Sequence, residues 1–88
     1  MSFVYVVLDM GELYPVAFIT YAAAIAAVKE MRREVIEEYR QNLEEANDDP
    51  TIAESGIDVP ENRATGKTYL FIEMGKINIE ISRLPIAV

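Results

Sequence analysis

KTYLFIEMGKINIEIS, residues 67–82, is the stretch on which the fold turns. Its second half alternates strictly: Ile77, Ile79 and Ile81 share one side of an extended chain, and Asn78, Glu80 and Ser82 share the other. Two β-prone runs around Gly75-Lys76 read as a hairpin. With a two-residue turn there, Ile79 falls opposite Ile72 and Ile81 opposite Leu70.

A second hairpin stands at the other end of the chain. FVYVVLD, Phe3–Asp9, is rich in β-branched and aromatic residues and meets Gly11, and LYPVAFI at residues 13–19 returns. A Gly11-Glu12 loop, glycine first, suits a type II′ turn. Pro15 has no N–H for a ladder, which makes the returning strand an edge or bulges it. Between the hairpins, Thr20 is positioned as an N-cap. Tyr21, Ile25, Val28, Val35, Tyr39 and Leu43 recur at helical spacing, predicting one long helix over about 21–43. Its first turns are alanine-rich and suit a close approach to a sheet.

Residues 44–66 carry Pro50, Gly56, Pro60 and Gly66 and little periodicity, the pattern of a long loop. The expected architecture is therefore one α+β domain over 1–88, ββαββ, with a four-stranded antiparallel sheet, one long helix on one face and an acidic mobile loop over 47–63.

Such a fold leaves one sheet face uncovered. The isoleucine row, joined by Val4, Val6, Leu8, Ala17 and Ile19, is the expected helix-covered face. The opposite face then collects Phe3, Tyr5, Val7, Tyr14, Val16, Phe18, Tyr69 and Phe71. Exposed apolar surface of that extent marks an interface in a soluble chain. Phe3, Tyr5, Val16, Phe18, Tyr69 and Phe71 are thus the expected contact residues of a homodimer, unless the two faces are reversed, or the loop or the tail 84–88 folds over them.

Composition narrows the chemistry. The chain has no cysteine and no histidine, which removes disulfides, thiolate metal sites and the usual general base. An apolar fraction of 51% supplies a core, yet the longest apolar runs are far too short to span a bilayer. No basic, apolar leader opens the chain, so no signal peptide is expected, and the absence of cysteine points to a reducing compartment. Net charge is −7, and residues 37–61 alone hold nine carboxylates against Arg40. That field repels nucleic acid. It also suggests an alternative function, an acidic decoy for the basic groove of a nucleic-acid-binding protein.

Motif matches fail on spacing. Gly66-Lys67-Thr68 resembles the end of a phosphate loop, but Glu61 stands where the first glycine is required, and a strand follows instead of a helix. Counted from Asp48, Pro50 and Ile52 occupy calcium-ligand positions of an EF-hand. No catalytic residue, cofactor or metal is therefore expected.

YPVAFITYAAAIAAVKE (14–30) and TGKTYLFIEMGKINIEISRLP (65–85) resemble stretches of small uncharacterised proteins of giant DNA viruses of amoebae, Marseillevirus-like ones included. The resemblance implies a viral origin, a place in the host cytoplasm or the virion, and viral or host proteins as further partners. It brings no active site with it.

Overall fold

Four antiparallel strands form one sheet in the order β2-β1-β4-β3: β1 Phe3–Asp9, β2 Glu12–Leu13, β3 Lys67–Ile72 and β4 Ile77–Pro85. The computed structural model describes residues 2–87, so Val88 of the tail lies outside the described residues. The protein is α+β, with two helices rather than the single one expected: α1 Tyr21–Met31 and α2 Arg33–Glu45.

Both hairpin turns differ from the expected ones by two residues. Asp9 faces Glu12, leaving Met10 and Gly11 as the loop, with φ of 52° and 85°. Two successive positive φ values define a type I′ turn, whose twist matches that of the strands. In the other hairpin Ile72 faces Ile77, and Glu73, Met74 and Gly75 all take positive φ. Leu70 therefore pairs with Ile79 and Thr68 with Ile81. A shift of two preserves the side of every residue. Thr68, Leu70 and Ile72 still share the buried face with the isoleucine row.

The first hairpin departs further. Regular pairing ends at Leu13; the Tyr14 N–H donates to the Val7 carbonyl, and Phe18 rejoins by exchanging both backbone hydrogen bonds with Tyr5 at 2.7 and 2.8 Å. Pro15, Val16 and Ala17 bulge between these points, at the residue that cannot donate.

The expected pairing of faces is corrected at β1. Val7 lies opposite Ile81 and Tyr5 opposite Arg83, so Phe3, Tyr5 and Val7 belong to the isoleucine side, and Val4, Val6 and Leu8 to the other. The reason lies in α1. Its alanines bring it close but fill little volume, and Tyr5, Tyr14, Phe18 and Tyr21 pack into what remains. Tyr5 meets Tyr21 edge-on at 6.1 Å, and Tyr14 stacks on Phe18 at 6.0 Å. The same phase places Asp9 against Arg32.

Arg32, at φ −110° and ψ 21°, separates α1 from α2 without any proline or glycine. Its guanidinium grips the Asp9 carboxylate through two nitrogens, Nε to Oδ2 at 2.9 Å. Thr20 caps α1 by accepting from the Ala23 N–H at 3.0 Å. Ala24, Val28, Ile36 and Leu43 are the buried helical residues; Tyr21, Ile25, Val35 and Tyr39 pack half-buried around the core.

Part of the segment read as the acidic loop, 47–63, packs against the core. Pro50–Glu54 forms a 3-10 turn capped by Asp49, against which α2 packs, and Ala53 and Ile57 are buried. The Gly56 carbonyl accepts from the Phe71 N–H at 3.1 Å, closing part of the outer edge of β3. The protein is long, 51 × 24 × 18 Å, with a radius of gyration of 14.0 Å. A compact chain of this length would have about 12 Å.

Candidate functional site

Alternation along three long strands puts Val4, Val6 and Leu8 of β1, Asn78, Glu80, Ser82 and Leu84 of β4, and Lys67, Tyr69 and Phe71 of β3 on the side away from the helices. Tyr69 is 66% exposed, Phe71 46% and Leu84 46%. Leu13, beside Leu8, is 64% exposed. The helices and the 3-10 turn all engage the other side. Residues 84–86 of the tail do not fold across the side away from the helices: β4 runs on to Pro85, and the Ile86 N–H donates to the Ser2 carbonyl at 3.0 Å, extending the β1–β4 ladder. The bare face is real.

The six residues expected to form one contact surface are divided by the sheet. Tyr69 and Phe71 lie on the bare face. Phe3, Tyr5 and Phe18 lie on the helix side, where Phe3 receives the Arg83 guanidinium 4.6 Å above its ring. Val16, half exposed, belongs to the bulge. Val4, Val6, Leu8 and Leu84 take the places left on the bare face. The contact that fixes this phase, Asp9 with Arg32 at the helix break, joins residues far apart in sequence, and the unbroken helical spacing of 21–43 gives no sign of it.

Two charged side chains project from the ladder positions of the bare face, Lys67 and Glu80. Among the described residues neither joins an ion pair. Glu80 accepts from the Ser82 hydroxyl at 2.8 Å, which lets Ser82 sit buried between strands. Near the hairpin tips a shallow depression of about 410 Å³ is lined by Leu8, Met10, Tyr69, Asn78 and Glu80. It is open and mostly apolar.

The remaining polar clusters are internally satisfied. Glu61 accepts from the Tyr5 hydroxyl at 3.1 Å through both oxygens and also meets Arg83 at 3.4 Å. The Tyr21 hydroxyl donates to the Val59 carbonyl at 2.8 Å. Burial, then the bond to Glu61, push the Tyr5 phenol above its ordinary value; burial, then the charge of Glu61, do the same for Tyr21. The Thr68 hydroxyl accepts from the Asn62 N–H, so the Gly66-Lys67-Thr68 stretch serves strand entry. The acidic run is partly neutralised: Lys29 reaches Asp58 at 2.6 Å and Glu54 at 3.9 Å, while Arg40 meets Glu37 and Glu54. Among the described residues no cluster of acidic side chains has the grouping to hold a metal, and no helix is long and apolar enough to cross a membrane.

Comparison with protein-family models, with curated proteins and with solved structures finds no match to this chain.

Proposed function

We propose that the protein is a non-enzymatic interaction protein that self-associates face to face through its bare sheet surface. The observation that carries this reading is a sheet with helices on one side and, on the other, exposed Tyr69, Phe71 and Leu84 beside half-buried Val4, Val6 and Leu8. Charge selects the occupant. Two copies of a −7 chain repel each other over most of their surfaces, but this face carries one lysine and one glutamate and is neutral against itself. Area allows it too. A standard interface takes roughly 800 Å² from each partner, a modest share of the 5837 Å² the protein exposes.

The acidic-decoy alternative is less favoured, because Glu37, Glu54, Asp58 and Glu61 already have cationic partners within the chain. The resemblance to giant-virus proteins supports the host cytoplasm or the virion as the setting.

Light scattering from micromolar to millimolar concentration tests the reading. Twice the chain mass is expected at the upper end, and Tyr69→Ser with Phe71→Ser should give a folded monomer. A wild-type chain that stays monomeric throughout would overturn self-association.

A further inference from the structure

We infer that the two copies are held in one register by reciprocal ion pairs, Lys67 of each with Glu80 of the other, and that Tyr69 meets its own counterpart beside the two-fold axis. This deepens the self-association reading and rests on it. The premise is local geometry. On the bare face Tyr69 pairs with Glu80 and Lys67 with Ser82, on adjacent strands. Neighbours across a ladder are about 4.8 Å apart, and same-face neighbours along a strand about 6.8 Å. The four residues are therefore corners of a small rectangle, with Lys67 and Glu80 at opposite corners.

A dimer that stacks this face on itself has its two-fold axis in the plane between the sheets. For Lys67 to fall above the partner's Glu80, and the reverse, that axis must be the perpendicular bisector of the Lys67–Glu80 diagonal. It then runs close to the other diagonal, from Tyr69 to Ser82. The bisector stands at roughly 55° to the strands, given those spacings. The strands of the two sheets thus cross within about 20° of perpendicular, in the orthogonal class of sheet packing rather than the aligned one.

Three observations converge on this register. Lys67 and Glu80 are the charges of the face and lack ion-pair partners of their own. Tyr69, next to the axis, is among the most exposed large side chains of the protein. Next to the ring, the depression lined by Leu8, Met10 and Asn78 offers space to the partner's aromatic side chain.

Charge exchange tests it by solution mass. Lys67→Glu replaces both attractions of the dimer with repulsions, as does Glu80→Lys, and each should weaken self-association on the order of tenfold or more. Mixed in equal amounts, the two variants restore both pairs, and a mixed dimer at wild-type strength is expected. Single variants that associate as well as the wild type, or a mixture that stays monomeric, overturn the register. If Tyr69→Ser still dissociates that dimer, the bare-face reading survives; a wild-type monomer at every concentration sinks both. A second measurement avoids reliance on the charged variants. The chain has no cysteine, and Val6, across the ladder from Ser82 and so also beside the axis, is close in size to cysteine, so Val6→Cys carries a single thiol and keeps Tyr69. A short bis-maleimide should join two copies through it efficiently, while Leu13→Cys, far from the axis, should not link. Equal linking at both positions would overturn the axis.

Discussion

The two faces of this sheet use the same residue types to opposite ends. On the helix side the chain engages the rings: the Tyr5 hydroxyl donates to Glu61, the Tyr21 hydroxyl to the Val59 carbonyl, and Phe3 lies beneath the Arg83 guanidinium. On the bare side Tyr69 and Phe71 stand 66% and 46% exposed, on a strand as regular as any in the molecule. Aromatic content alone therefore does not tell core from exposed surface. What separates Tyr5 and Tyr21 from Tyr69 and Phe71 is covering chain: the helices pack on the first side only, and there Glu61 and Val59 also meet the hydroxyls.

The contrast is broken most sharply by placing the same charge on each face. Ile79 is 2% exposed in the middle of β4. Ile79→Asp buries an unpaired carboxylate at a cost of several kcal/mol, against a total stability of roughly 5–15 kcal/mol for a domain of this size. Loss of the cooperative thermal transition is expected. Tyr69→Asp, ten residues earlier, should change stability by no more than about 0.5 kcal/mol while abolishing self-association. Comparable melting temperatures for the two variants would show that the faces are not distinct.

A smaller effect is expected where the two sides meet at the edge of β3. A Cβ at Gly56 would come within 2.2 Å of the Phe71 carbonyl oxygen and 2.8 Å of its ring. Gly56→Ala must push the segment off the strand, costing about 1–3 kcal/mol. Faster amide exchange at Phe71 would report the loosened edge, and unchanged protection there would contradict the contact.

The smallest effect concerns the tethers. Burial and Glu61 raise the Tyr5 phenol above the ordinary 10.0. A phenol whose folded-state value is raised contributes stability that is complete below the unfolded value, and it is lost as pH rises through the folded one. Denaturation midpoints should therefore be flat through neutral pH and fall above about pH 10. Tyr5→Phe should lower stability by about 1 kcal/mol at neutral pH and make the alkaline decline shallower. An alkaline limb identical in both proteins would remove Tyr5 from the account.

Alternation made much of this legible in advance. The isoleucine row, the Thr20 cap and the existence of an uncovered face all follow from residue spacing, and a two-residue error in each turn did no harm because it preserves sides. The relation between the two hairpins was not legible in the same way. Each pattern shows which residues share a side; neither shows which side of one hairpin continues which side of the other. That choice depended on volume beside the alanines of α1 and on Asp9 finding Arg32, contacts between residues far apart in sequence. The helix break was hidden because 21–43 contains no proline or glycine. The anchoring of 47–63 rests on Ala53 and Ile57, too few apolar residues to form a period.

The elongated outline has its own consequence for hydrodynamics. A particle 51 Å long and 18 Å thin drags more solvent than a sphere of equal mass. It leaves a gel-filtration column early and sediments slowly, so a monomer can pass for a dimer by elution and a dimer for a monomer by sedimentation velocity. Two such bodies crossing near right angles at their sheets would add less to the longest dimension than two laid end to end. The mass should double while the long axis hardly grows, a combination that small-angle scattering can read directly.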